Sequence, residues 1–195
     1  MDNKYLVIDP NEKIFKTNSN AKYFKEAMEK SFDEYAKERK YKERKQNIAL
    51  IGLGPHAKRI YLNYFKKHRT NFSLLVDLES KKNWAREYLD EQGFKNTKIF
   101  ALDDKYKDNE FLPKEIESNL LAVCKTLEIS HIIIATEPKA HNMYIHFALE
   151  NNYDVLTDKP ITVTKNMTSL SSIEKVRKQY YQILDLAKHS KGTCK

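Results

Sequence analysis

Two of the four glycines in this 195-residue chain stand close together, in the segment Gly52-Leu53-Gly54-Pro55-His56-Ala57. An apolar run ends just before the segment, and a helical pattern begins within it. In this pattern the first glycine permits a sharp turn, the second leaves the backbone open to a pyrophosphate, and a small third residue lets the helix pack on the strand. N–H groups at the start of the helix would bind the phosphates. The segment therefore predicts a dinucleotide-binding loop with five contact residues, namely Gly52, Gly54, Pro55, His56 and Ala57.

Asp77 supplies the second part of the same pattern. It lies 25 positions after Gly52, at the end of the apolar run "SLLVD". A carboxylate at about this distance accepts hydrogen bonds from ribose hydroxyls and repels a 2′-phosphate, which favours NAD over NADP. Lys81 and Lys82 follow closely and leave NADP open as the cofactor. The alternative role for Asp77 is to cap the next helix.

The elements that must position these residues are visible as short apolar runs that alternate with longer amphipathic stretches. Apolar residues recur every three or four positions from Ile116 to Leu127 and from Ile173 to Ala187, which predicts two helices. Ser171 and Glu174 form a capping-box pattern at the second. The alternation predicts an α/β fold, a doubly wound parallel sheet covered on both faces. The predicted strands are Ile48–Ile51, Phe72–Val76, Lys98–Leu102, Ile132–Ala135 and Tyr153–Leu156.

Residues 1–46 follow a different pattern. Two short apolar runs flank Asp9-Pro10-Asn11-Glu12, a sequence typical of a type I turn. Apolar residues between positions 24 and 35 then mark one face of a long charged helix. We expect a β-hairpin plus helix extension over residues 1–46 and a dinucleotide-binding domain over residues 47–195. A packing appendage is favoured over a separate binding module for the extension.

The composition bounds the function classes. The net charge of +8 is uneven, with +3 over residues 1–46, zero over 47–160 and +5 over 161–195, so a nucleic-acid partner is not expected. No apolar run is long enough to cross a bilayer, and no signal-peptide pattern is present. The two cysteines, Cys124 and Cys194, suggest neither a disulfide framework nor a metal site and favour a cytoplasmic location.

The segment "HIIIATEPKAHNMYIHFALENNYDVLTDKPIT" carries two further motifs. Thr136, Pro138 and His141 match a Thr-x-Pro-x-x-His pattern after a predicted strand. Asp158-Lys159-Pro160 matches a Glu-Lys-Pro pattern at the end of the next strand, with aspartate in place of glutamate. With the glycine loop, these motifs make roughly residues 47–190 resemble the glucose–fructose oxidoreductase/inositol dehydrogenase/MocA (Gfo/Idh/MocA) family.

This resemblance implies a Rossmann-type fold and an oxidoreductase activity. The reaction would be hydride transfer between a nicotinamide ring and a hydroxyl-bearing carbon of a sugar, polyol or related small molecule. It implies that Lys159 is catalytic, because its ammonium would orient the substrate oxygen and stabilise the charge that develops there. It also implies cofactor contacts for residues of the two motifs, namely Thr136, Pro138, His141, Asp158 and Lys159. For His141, cofactor contact and simple packing are equally open.

Members of the family continue with a further strand and with a second domain that forms the substrate pocket, and this chain ends before both. We therefore expect part of a longer NAD(P)-dependent enzyme that takes a small-molecule substrate, with self-association left open. One alternative is a non-catalytic dinucleotide-binding sensor or scaffold, and another is a binding module that uses the basic flanks. A methyltransferase is a weaker alternative, because such enzymes place an acidic residue just before their glycines, where this chain has Ala49-Leu50-Ile51.

Overall fold

A computed structural model describes residues 47–164, 169–192 and 194, and within them five strands form one parallel sheet. The strands are β1 (Asn47–Ile51), β2 (Asn71–Leu78), β3 (Lys98–Leu102), β4 (His131–Ile134) and β5 (Asp154–Thr157). They lie in the order β3-β2-β1-β4-β5, which is the arrangement of a doubly wound Rossmann-type sheet. The predicted fold is confirmed, and the predicted strand ends are displaced by only one or two residues. The extension predicted for residues 1–46 lies outside the described residues.

Five helical segments of the described part cover this sheet. The first, α1, consists of a short α-helix (Pro55–Ala57), a π-helical stretch (Lys58–Leu62) and a second α-helix (Asn63–His68). The others are α2 (Lys82–Glu91), α3 (Lys114–Thr126), α4 (Pro138–Glu150) and α5 (Leu170–His189). None of them combines the length and the apolar character that a membrane-spanning helix requires.

Alternate residues of each strand supply two hydrophobic cores, one on each face of the sheet. On β1, Leu50 packs with α1 and α2, whereas Ile51 packs with α3, α4 and α5. Successive side chains of a strand point to opposite faces, so an unbroken apolar run such as β1 fits a strand that is buried on both sides. Ala57, the third residue of the glycine pattern, is fully buried in the first core. This burial agrees with the packing role that the pattern gives it.

The N-terminus of α5 differs from the sequence prediction. Ser171 lies inside the helix and does not begin a capping box with Glu174. The N-cap is Ser169, whose Oγ accepts a hydrogen bond from the Ser172 N–H at 3.3 Å. A serine two residues earlier can cap equally well, because capping needs only an extended backbone and a hydroxyl before the first helical N–H groups.

The predicted apolar face of α5 is only partly buried. Ile183 packs in the core, whereas Ile173 and Tyr180 are exposed. Gln179, a polar residue outside the predicted face, is buried; its Oε1 accepts a hydrogen bond from Thr162 and its Nε2 donates one to Glu110. The helix is therefore oriented by polar contacts that hydrophobic periodicity does not report.

The strand order reverses between β1 and β4. From β1 the chain crosses to β2 and β3 on one side, and from β4 it crosses to β5 on the other. The loops that leave β1 and β4 therefore run in opposite directions and open a crevice at the carboxyl ends of these strands. Ile51 pairs with both Val76 and Ile134, so the three strand ends that border the crevice are level.

Candidate functional site

A cleft of about 660 Å³ opens at the carboxyl ends of β1, β2 and β4. Its walls come from the loop after β1, the end of β2, the loops after β3 and β4 and the start of α4. Ligands of open α/β sheets bind in this position, outside the strand ends where the strand order reverses. Seven of the predicted site residues line the cleft, namely Gly52, Gly54, Pro55, His56, Asp77, Thr136 and Pro138.

Gly52 is required by the backbone and by its neighbours. Its φ of +90° lies in the region that side chains disfavour. A Cβ at this position would lie 2.9 Å from Thr136 Cγ2 and 3.0 Å from the Ala135 carbonyl oxygen. The Gly52 N–H also donates to the Val76 carbonyl at 2.8 Å. Gly52 therefore lets the loop turn while the ends of β1, β2 and β4 stay close together.

Gly54 is different, because no neighbouring atom requires it to be a glycine. Its backbone has φ −75° and ψ 177°, which any residue adopts, and a Cβ would meet no heavy atom within 4 Å. The side chain is thus missing at a point where the backbone faces the open cleft. Gly54 is also the N-cap of α1, so the N–H groups of His56 and Ala57 in the first turn have no intrahelical acceptor. This arrangement fits a pyrophosphate in contact with the backbone.

Asp77 lies in β2 and does not cap the helix that follows. Its Oδ2 accepts a hydrogen bond from the Leu53 N–H at 2.9 Å, and its Oδ1 accepts one from the Leu78 N–H at 2.8 Å. The carboxylate is almost fully buried beneath the glycine loop, with Lys81 Nζ 3.8 Å from Oδ1. Each carboxylate oxygen can accept more than one hydrogen bond, so Asp77 can support the loop and still accept from a ribose hydroxyl.

Tyr144 of α4 closes the floor of the cleft near Asp77. Burial, and secondarily the negative charge of Asp77, raises the pKa of the Tyr144 phenol well above its ordinary value. The group therefore stays neutral, and a second negative charge does not form beside Asp77. Tyr144 was not among the sequence-predicted site residues.

Thr136 and Pro138 form the wall of the cleft opposite β2. Pro138 is the first residue of α4, where its missing N–H leaves no helical bond unmade. Thr136 Cγ2 contacts the position that a Gly52 side chain would occupy. The two motifs that are distant in sequence, the glycine loop and the Thr-x-Pro segment, therefore form one surface.

His141 does not line the cleft. It is fully buried, with Nε2 3.1 Å from the Thr136 carbonyl oxygen and Nδ1 3.0 Å from the Pro160 carbonyl oxygen. A neutral imidazole donates from one ring nitrogen only, so the tautomer decides which of the two carbonyl oxygens accepts the hydrogen bond. His141 thereby connects the loop after β4, which carries Thr136, to the loop after β5, which carries Asp158 and Lys159.

Asp158 and Lys159 follow β5, outside the residues that line the cleft. Asp158 Oδ1 accepts a hydrogen bond from the Tyr61 hydroxyl at 2.6 Å, and its Oδ2 lies 3.6 Å from His56 Nε2. Lys159 is exposed. Tyr61 was not among the sequence-predicted site residues, because an aromatic residue in an amphipathic helix normally indicates packing.

The loop after β3 contributes a second acidic residue to the cleft that sequence analysis missed. Asp104 accepts hydrogen bonds from the Ser80 hydroxyl at 2.7 Å and from the Ser80 N–H at 3.0 Å, and these bonds lower the pKa of Asp104. Asp104, Ser80 and Lys81 line the end of the cleft near Asp77. Asp104 could have been predicted from its position just after a strand of the parallel sheet, since the carboxyl ends of all such strands meet at one edge of the sheet.

The described residues contain no group of three or more His, Cys, Asp or Glu side chains that could hold a metal ion. The polar groups around the cleft are instead loop N–H groups, carboxylates and lysines. This donor set suits a phosphorylated nucleoside, which needs N–H donors for its phosphates and acceptors for its ribose hydroxyls.

Comparison with known families agrees with this geometry. Residues 46–183 match the model of an oxidoreductase family with an NAD-binding Rossmann fold. A search of proteins with curated functions gives no significant match.

Solved dehydrogenase structures share the fold. The WlbA (WbpB) dehydrogenase of Thermus thermophilus, in complex with NAD and UDP-GlcNAcA, is 16% identical with a TM-score of 0.53, over 76% of this chain and 40% of that chain. The WlbA dehydrogenase of Chromobacterium violaceum, in complex with NADH and UDP-GlcNAcA, is 15% identical with a TM-score of 0.50, over 77% and 34%. A probable oxidoreductase, yhhX, is 19% identical with a TM-score of 0.51, over 76% and 34%. This chain thus matches 40% or less of the length of these structures.

Proposed function

The chain belongs to the Gfo/Idh/MocA family of oxidoreductases with an NAD-binding Rossmann fold, and from this membership we propose that it forms the cofactor domain of an NAD-dependent dehydrogenase. The substrate class in this proposal is a sugar, polyol or related small molecule with a hydroxyl-bearing carbon. The observation that carries the proposal is Gly54, whose missing side chain leaves open space at the N-terminus of α1 although its backbone needs no glycine.

Different residues of the cleft would bind different parts of NAD. The loop from Gly52 to Ala57 would hold the pyrophosphate through backbone N–H groups, and Asp77 would accept hydrogen bonds from the adenosine ribose. Thr136 and Pro138 would contact the cofactor from the opposite wall. When bound, NAD supplies the acceptor or donor of the hydride, and the protein supplies binding and orientation.

Lys159 is the proposed catalytic residue. It is exposed and follows β5 at the carboxyl edge of the sheet, the edge at which the cleft opens. Its ammonium would donate a hydrogen bond to the substrate oxygen and stabilise negative charge that develops there during hydride transfer. Asp158, directly before it, is held by Tyr61, which fixes the backbone next to the lysine.

The substrate class rests on the family and on the structurally similar enzymes. Two WlbA dehydrogenases were crystallised with UDP-GlcNAcA, a sugar derivative, together with NAD or NADH. Since this chain corresponds to 40% or less of those chains, the pocket that selects the substrate belongs in this proposal to a part of the enzyme outside the cofactor domain.

Gly54→Val tests the proposal. Isothermal titration with NADH should show one binding event in the wild type that the variant loses, because a branched side chain would occupy the place of the pyrophosphate. The open space around Gly54 predicts an unchanged melting temperature for this variant. Ala122→Val, on an exposed site of α3 away from the cleft, is the matched control and should bind NADH like the wild type. Equal NADH affinity in Gly54→Val and the wild type would contradict the proposal.

A further inference from the structure

The side chain of Asp158 links two segments that are far apart in the sequence. Tyr61 lies in the π-helical stretch of α1, after the glycine loop, and its hydroxyl donates to Asp158 Oδ1 at 2.6 Å across 97 positions of sequence. In the sheet, β4 lies between the strands that precede these two residues. The hydrogen bond therefore passes over the end of β4, directly beside the cleft.

This hydrogen bond is of a strong type. A short O–H···O⁻ contact with an ionised acceptor is stronger than one between neutral groups. Burial, followed by the hydrogen bond and the negative charge of Asp158, raises the pKa of the Tyr61 phenol far above its ordinary value. Tyr61 therefore remains a protonated donor over the whole neutral range. His56 Nε2, 3.6 Å from the second carboxylate oxygen, adds a positive charge on the same side only when it is protonated.

The segment that contains Lys159 is fixed on both sides of the lysine. On one side the Asp158 N–H donates to the Ile134 carbonyl at 3.1 Å, and the Asp158 side chain is held by Tyr61. On the other side the Pro160 carbonyl contacts His141. Lys159 is the exposed residue between these two fixed points. Of the two side-chain contacts, only the one with Tyr61 connects this segment to α1, the helix that begins at the glycine loop.

We propose that Tyr61 is a positioning residue that sets Lys159 relative to the cofactor loop by holding Asp158. This inference rests on the function proposed above for Lys159 and the glycine loop. Because the substrate oxygen that Lys159 would contact must lie beside the nicotinamide for hydride transfer, the positioning would act at the nicotinamide end of the cofactor. The positioning of Lys159 would not affect binding of the adenosine diphosphate part of the cofactor, which in the proposal contacts the glycine loop and Asp77.

Tyr61→Phe removes the hydroxyl and keeps the ring that packs against the core of α1 and α2. The test compares the affinities of the chain for NADH and for ADP-ribose, which lacks the nicotinamide. We expect roughly threefold or greater weakening for NADH, at the lower end of coupling within one hydrogen-bond network, and an unchanged affinity for ADP-ribose. Tyr64→Phe is the matched control, since Tyr64 is an exposed tyrosine of the same helix, and should alter neither affinity.

Two further variants complete the comparison. Asp158→Asn keeps a hydrogen-bond acceptor but removes the negative charge, and the double variant combines it with Tyr61→Phe. If the contact carries the effect, adding Tyr61→Phe to Asp158→Asn should weaken NADH binding by less than Tyr61→Phe weakens it alone. Unchanged NADH affinity in Tyr61→Phe, or equal weakening for both ligands, would overturn the positioning role while leaving the proposed function intact. Absence of NADH binding in the wild-type chain would overturn both.

Discussion

At the residue scale, Asp77 combines a structural role with a proposed binding role. Its carboxylate accepts hydrogen bonds from the N–H groups of Leu53 and Leu78, so it supports the glycine loop from below. In the sequence, Lys81 and Lys82 left NADP open as the cofactor, and the structure places the two lysines differently. Lys81 approaches Asp77 to 3.8 Å and lines the cleft, whereas Lys82 pairs with Glu79 at 3.2 Å and does not line it.

We expect the wild-type chain to bind NADH more tightly than NADPH, because the Asp77 carboxylate repels a 2′-phosphate. Asp77→Asn should narrow this preference by roughly tenfold, since it removes the charge but keeps an oxygen that can accept from the Leu53 N–H. Parallel titrations with the two nucleotides measure the effect. Lys82→Ala is the control and should leave the ratio unchanged, while Lys81→Ala should lower NADPH affinity. A wild type that prefers NADPH would show that Lys81 outweighs Asp77.

At the element scale, the helices α1 and α5 differ at their N-termini. Ser169 caps α5, and Gly54 begins α1 without any side-chain cap. The helices α2, α3 and α4 also begin without a side-chain cap, so the missing cap does not by itself distinguish α1. In the proposed function, a side-chain cap at position 54 would occupy N–H groups that the pyrophosphate needs.

Ser169→Ala should lower the free energy of unfolding by about 1 kcal/mol, the usual cost of losing a serine N-cap. Ser171→Ala should have a smaller effect, because Ser171 lies within the helix and only its hydroxyl contacts Ser169. Urea denaturation followed by circular dichroism compares the two variants. A larger loss for Ser171→Ala would restore the capping box that the sequence suggested.

At the scale of the whole molecule, the described residues form an NAD-binding Rossmann domain, and the function proposed above assigns substrate binding to another part of the enzyme. The cleft suits NAD, and its lining residues come from the loops after β1, β3 and β4, the end of β2 and the start of α4. The similar dehydrogenases are more than twice as long as the part that this chain matches. Catalysis therefore requires, in this proposal, a second part that places substrate against Lys159.

We expect the 195-residue chain to bind NADH but to oxidise no sugar or polyol at a measurable rate. In an enzyme that contains this domain together with a substrate domain, Lys159→Ala should lower kcat by about 10²–10³ and reduce NAD affinity far less, since the ammonium acts on the substrate oxygen. NADH formation with a panel of sugars and polyols measures both. Turnover by the chain alone would show that the acid/base group lies within it, and an unchanged kcat in the variant would remove Lys159 from the mechanism.

The sequence by itself determined the sheet, the glycine loop and the family. Strand periodicity and glycine spacing are local properties, since each depends on residues a few positions apart, so they can be recognised without knowing the fold. The family motifs are local in the same way. This explains why the strands were predicted to within one or two residues and why Gly52 and Gly54 were identified together.

Only the tertiary structure decided which distant residues meet. The Tyr61–Asp158 hydrogen bond, the two carbonyl contacts of His141 and the support of Leu53 by Asp77 join positions that separate strands bring to one edge of the sheet. Such contacts depend on strand order and on the direction in which each loop leaves the sheet. Neither property appears in the spacing of residues within a segment, because packing between segments sets both.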